Sequence, residues 1–199
     1  MPAVARWTVM TVLSLVVASY AAMLLSVPRV QPPFIQDRVS IVPLAVYGHL
    51  AGGMFAIAFG PFQFSRRLRS RHINVHRWMG RTYLIAVVVG GLSGLALARM
   101  SQGGNIAHLG FALLALGWIF TAARAYRHIR AGDDIAHRRW MIRNFSLTFA
   151  AVMLRIYIPL SFAFGIPFEQ AYPAIAWLCW LPNVAVAEWA LVPRVTSSR

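Results

Sequence analysis

Long stretches without a charged residue alternate along the chain with short arginine-rich ones. Residues 7–28, 39–65 and 100–123 hold 22, 27 and 24 uncharged positions, and a helix needs about 20 mainly apolar residues to cross the hydrocarbon of a bilayer. Residues 82–98 give 17, flanked by Arg81 and Arg99, whose long stems can carry their charges out to the interfaces. Residues 144–168 are interrupted once, by Arg155, and residues 171–192 carry Glu188 near their end. The pattern predicts an all-α integral membrane protein with six transmembrane helices, over about 7–28, 40–64, 78–99, 104–124, 141–163 and 171–192. These form one membrane domain, with no room for a soluble one. The first run follows Arg6 as a signal peptide would. Its apolar stretch is longer than such a leader's, and "LLSVPRV" is a poor cleavage site, so it reads as the first span.

Composition changes the picture only through charge. Residues are 59% hydrophobic and 12% charged, about half the charge of a soluble domain. Nineteen basic residues, all Arg, against five acids give a net charge of +14, which on a soluble chain would suggest nucleic acid. The distribution argues otherwise. With an inner N-terminus, fifteen arginines fall on inner segments: Arg6, six between 66 and 81, six between 124 and 143, then Arg194 and Arg199. Only Arg29, Arg38 and Arg99 fall outside. That bias is the positive-inside rule and places both termini in the cytoplasm. The partner it implies is the lipid bilayer, not nucleic acid. The single Cys179 excludes an intramolecular disulfide.

The stretch "HRWMGR" from His76 returns as "HRRWMIR" from His137, each time at the foot of an apolar run. The second and third spans form a hairpin ending in His76, and the fourth and fifth form another ending in His137. Each descending span also carries a His in its outer half, His49 and His108. The spacings, 27 and 29 residues, nearly match. This predicts a tandem two-helix repeat and a central bundle of spans two to five, flanked by spans one and six.

Ionisable residues within a span are costly and suggest function. His49 and His108 lie at matched depth to within roughly 1 Å. Two such imidazoles could ligate a flat macrocycle from both sides. Gly52 and Gly53 follow His49 on its own face, and Gly90, Gly91 and Gly94 stand at similar height in the third span. They offer either room for a cofactor or simple close packing of helices. Arg155 has no carboxylate at its depth, since Glu188 sits near the inner end of its span. A bound anion such as a haem propionate would complement Arg155, as would snorkelling to the outer interface. His76 and His137 could hold a second haem only if the third and fifth helices extend below the hydrocarbon. The ordinary alternative is a solvated loop residue. His72 and His76 make at most half a metal site, and His128 reads as a loop residue.

At these four histidines the chain resembles the six-helix di-haem b-type cytochromes, the transmembrane ascorbate-dependent ferric reductases. The resemblance implies His49 and His108 on one haem b and His76 and His137 on the other. "VHRWMG" is similar in kind to that family's Leu-His-Ser-Trp-Leu-Gly element, though on a different helix. Taken whole, and especially in "HRRWMIRNFSLTFAAVMLR" and "AYPAIAWLCWLPN", the chain looks closer to an uncharacterised family of bacterial predicted membrane proteins, which implies the inner membrane.

Three functions follow. The first is a membrane b-type cytochrome, an electron-carrying oxidoreductase exchanging electrons with a quinone, a metal ion or superoxide. Two imidazoles saturate the iron and leave no site for dioxygen. The inner rim of Arg77, Arg81, Arg138, Arg139 and Arg143 could steer an anionic reductant. The second is a cofactor-free transporter or partner subunit, with His49, His108 and Arg155 lining a polar cavity. No broken-helix pair is evident for it. A membrane hydrolase finds no Ser-His-Asp set, H-E-x-x-H or Asp pair.

Overall fold

The computed structural model describes residues 3–192, so Arg194 and Arg199 lie outside the described residues. These form α1 (Ala3–Ser26), α2 (Pro33–Ile41), α3 (Pro43–Gln63), α4 (Arg66–Arg71) and α5 (Ile73–Ala98). Then come α6 (Gly104–Arg130), α7 (Asp134–Thr148), α8 (Ala150–Ala163), α9 (Phe168–Leu178) and α10 (Leu181–Val186). A π-helical segment, Ala187–Leu191, continues α10. Six helical stretches are long and apolar enough to cross a membrane: α1, α3, α5, α6, α7 with α8, and α9 onward to Leu191. The six-span all-α class is as expected from the sequence.

The helix ends differ from the apolar runs at the arginine-rich side. α5 starts at Ile73 and not near 78, α6 continues to Arg130, and α7 starts at Asp134 instead of 141. Hydropathy marks where a helix leaves hydrocarbon, not where it stops, and Arg is a good helix former. Asp133 fixes the α7 start, its carboxylate accepting from the Ala136 amide at 2.9 Å. Between α1 and α3 the Pro-rich residues 28–42 hold a short 3-10 turn, Pro28–Val30, and α2. Pro32 and Pro33 pre-set the first turn of α2. Buried Gln31 donates to the Leu24 carbonyl at 2.7 Å, tying that loop to the end of α1.

The chain forms two compact units, Met1–Ser93 and Gly94–Arg199, with the boundary inside α5. In the first, α1 packs along α3. Trp7 donates through its indole to the Pro61 carbonyl at 3.1 Å and meets Phe62 edge-on. α5 crosses α3 at Gly52. A Cβ there would stand 2.5 Å from the Gly90 nitrogen and 2.6 Å from the Ala86 oxygen, so only glycine lets the backbones approach this closely.

In the second unit α6 packs on α7, and α9 lies against α6 and α8. A buried polar chain joins α6 to α7. Asn144, with no exposed surface, donates to the Trp118 carbonyl at 2.7 Å and to the Thr121 hydroxyl at 2.8 Å. The Trp118 indole donates to the Thr148 hydroxyl at 2.8 Å.

The fifth span is irregular at one residue and the sixth is interrupted. Thr148 back-bonds to the Asn144 carbonyl at 3.1 Å, and the next residue, Phe149, is a one-residue irregularity through which the ladder continues, its amide donating to the Phe145 carbonyl at 2.8 Å. In the sixth span Pro182 removes a helical donor, and the chain turns at Cys179–Trp180. Side chains repair the break. The Trp180 indole donates to the Ala176 carbonyl at 3.0 Å and Asn183 to the Cys179 carbonyl at 2.9 Å, so those carbonyls keep donors at membrane depth.

Candidate functional site

Each histidine singled out from the sequence is best placed by what its ring touches. His49, exposed on α3, directs Nδ1 at the Gly90 carbonyl, 3.0 Å away. A carbonyl only accepts, so the neutral ring carries its hydrogen on Nδ1 and its lone pair on Nε2. His137, half-buried in the first turn of α7, does the same toward the Ala125 carbonyl of α6 at 2.9 Å. A backbone carbonyl on Nδ1 is the arrangement that orients a metal-bound imidazole through Nε2. His108 is turned the other way. Its Nε2 donates to the Ser101 carbonyl at 2.9 Å, placing the lone pair on Nδ1 beside its own main chain. As it stands, His108 does not present the nitrogen that a macrocycle can reach. His76 lies half-buried in the first turn of α5.

The extension of α5 and α7 places His76 and His137 on helices. Within the first unit, Gly90, the partner of His49, lies fourteen residues beyond His76 on α5, about 21 Å along the axis. Within the second, Ala125, the partner of His137, lies seventeen residues beyond His108 on α6, about 26 Å away. Within each unit the two histidines are thus well separated along the helix axis.

The glycines divide. Gly52 is consumed by the α3–α5 crossing, so it provides no space for a ligand. Gly53, one turn from His49 on the same face, has nothing within 4 Å of where a Cβ would stand. Arg155 donates Nη1 to the Ala151 carbonyl of its own helix at 2.9 Å. Glu188 is engaged elsewhere. Arg143 forks onto it, Nε to one carboxylate oxygen and Nη2 to the other at 2.8 Å. His72 caps the end of α4, and His128 faces Asp133 at 3.5 Å. Among the described residues no three of His, Cys, Asp and Glu cluster as a metal site.

Sequence reasoning missed the Arg143–Glu188 pair and its neighbour Trp140, whose ring centroid lies 4.7 Å from the guanidinium carbon of Arg143 and 5.1 Å from that of Arg124. The signal was available. Glu188 is the one acid of residues 171–192 and falls near their end, opposite the arginines that open the fifth helix.

Fold and polar sites together define a multi-pass helical membrane protein. Residues 46–191, about three quarters of the chain and spanning α3 onward, match the family described as Predicted membrane protein (DUF2306). The chain belongs to that family. No curated protein and no solved structure matches it.

Proposed function

We propose that the protein is a membrane b-type cytochrome, carrying electrons within or across the bilayer through haem held by His49 with His108 and by His76 with His137. The observation that carries this is the pair of Nδ1–H bonds, His49 to Gly90 and His137 to Ala125, which leave Nε2 as the lone-pair nitrogen in both rings. The separation of the two histidines along the helix axis within each unit supports two centres. Open space beside Gly53 supports a flat group on the His49 face. Haem would supply one-electron chemistry, its potential tuned by burial and by bonds to its ligands. His108 must turn to offer Nε2, giving up a hydrogen bond of about 1 kcal/mol net. Arg155 would hold a propionate, and a quinone or small redox partner would exchange the electrons. On this reading the protein is an oxidoreductase of the bacterial inner membrane, with cytoplasmic termini set by its arginines.

A second reading, a cofactor-free transporter or partner subunit with a polar His/Arg cavity, draws on the interruption at Cys179–Trp180 in the sixth span, since discontinuous spans line the paths of many transporters. The absorption spectrum of protein purified from haem-supplied cells separates the two. The cytochrome gives a sharp Soret band that shifts on dithionite; a colourless preparation leaves only the second reading.

A further inference from the structure

One stripe of α6 is built like an amphiphile. Leu113, Gly117 and Thr121 follow at four-residue spacing and line an open groove of about 280 Å³, shared with α7 and the sixth span. Arg124, Arg127 and His128 continue α6 and line a basic depression of about 180 Å³. Positions 113 to 121 rise about 12 Å, which fits within one leaflet's share of a hydrocarbon core about 30 Å thick. Trp140 lines the groove and also touches Arg124, so the apolar and basic parts are continuous.

The charges do not balance. Arg143 takes the groove's one carboxylate, Glu188, and His128 faces Asp133. Arg124 and Arg127 have no carboxylate partner among the described residues, and the buried Arg124 Nε makes no hydrogen bond there.

We propose that this stripe binds an anionic phospholipid, its phosphate on Arg124 and Arg127 and one acyl chain in the groove between Leu113 and Trp140. A free phosphate would use only the basic half. The apolar half, opening at membrane depth, selects the lipid. The site does not depend on haem.

Native mass spectrometry of the detergent-purified protein tests this with dioleoyl phosphatidylglycerol, dioleoyl phosphatidylcholine and inorganic phosphate as probes. Phosphatidylglycerol is expected to bind about tenfold more tightly than phosphatidylcholine, and phosphate not to displace it. Arg124→Gln and Arg127→Gln should each weaken it about fivefold. Arg130→Gln, the same charge loss off the stripe, should stay within twofold. Gly117→Leu, which fills the groove, should abolish retention, while Gly117→Ala retains it, its Cβ lying in ordinary contact 3.6 Å from Leu147. If Gly117→Leu does not fold, half-exposed Leu113→Trp fills the groove from outside. Equal binding of the two lipids, displacement by phosphate, or an Arg130→Gln loss equal to that of Arg124→Gln overturns the proposal.

Discussion

Removing Glu188 tests the electrostatics of the arginine-rich end most directly. The Arg143 fork is partly solvated, the two side chains retaining 23% and 38% of their surface. An exposed pair contributes about 0.2–1 kcal/mol, and a hydrogen bond to a charged group about 1.5–3. Two such bonds, discounted for screening, put the coupling at about 1–2 kcal/mol. A second term acts through Trp140. The guanidinium carbons of Arg124 and Arg143 lie 5.1 and 4.7 Å from one ring centroid, so they are at most about 10 Å apart. At an effective dielectric of about 20 their repulsion is then about 1.7 kcal/mol or more, falling to about 0.4 in water. Glu188 offsets that repulsion. Glu188→Gln should therefore cost about 1–3 kcal/mol, and adding Arg124→Gln should return about 0.5–1.5 of it. Reversible unfolding in mixed micelles, over the cycle of wild type, both single variants and the double, reads both numbers. Raising salt to about 0.5 M should shrink the rescue, since the Debye length there is well below 10 Å. A double variant no more stable than Glu188→Gln alone would mean that Arg124 and Arg143 do not share the ring, and the reasoning fails.

Three further outcomes follow from the packing and the rings. Gly52→Ala should lower the unfolding free energy by about 2–4 kcal/mol because its Cβ meets backbone at 2.5 Å, whereas Gly53→Ala should be neutral or gain up to about 1 kcal/mol in helix propensity; equal effects in the same assay would refute the α3–α5 crossing. Asn144→Leu removes two interhelical hydrogen bonds and should cost about 1–2 kcal/mol, since each contributes about 0.6 and up to 1.7 within a membrane. His49→Ala and His108→Ala should each abolish one haem centre and Arg155→Ala weaken haem retention or shift the potential; wild-type spectra in all three would mean the ligands are misassigned.

The six spans could be read from the sequence because four are continuous uncharged runs and the other two carry one charge each, Arg155 and Glu188, and lipid imposes that composition on spanning helices. Helix ends could not. α5 and α7 continue through arginines, where hydropathy drops but helix propensity does not. Pro182 announces the interruption of the sixth span, while the irregularity at Phe149 depends on the Thr148 hydroxyl turning back onto Asn144, a choice made by packing against Trp118. Among the glycines, Gly52 and Gly53 are adjacent and indistinguishable in sequence, yet one is wedged against α5 and the other faces open space. The His-Arg-Trp-Met duplication located the inner histidines, but ring orientation depends on which carbonyl lies nearest, and no spacing rule supplies that.

His108 is where the two functional readings part. Its Nε2–H bond reaches a carbonyl presented by the turn ahead of α6, where Gly103 and Gly104 hold φ values of +86° and +66°. No side-chain change at Ser101 can remove that acceptor. The turn can be loosened instead. Gly104→Ala meets no neighbour within 4 Å, so its cost is the left-handed backbone alone, about 1–2 kcal/mol. Gly103→Ala adds contacts of 3.0 Å with Pro173 and 3.1 Å with Ala107, and should cost more. If His108 is a haem ligand, the Ser101 bond competes with coordination, and Gly104→Ala should leave haem affinity unchanged or raise it. If His108 is instead a structural donor in a cofactor-free protein, nitrogen NMR should find its ring in the Nε2–H tautomer in wild type and disordered in Gly104→Ala. A haem-loaded protein that loses its haem on Gly104→Ala while staying folded would contradict the ligand role, because freeing the ring would then have harmed the site it was meant to complete.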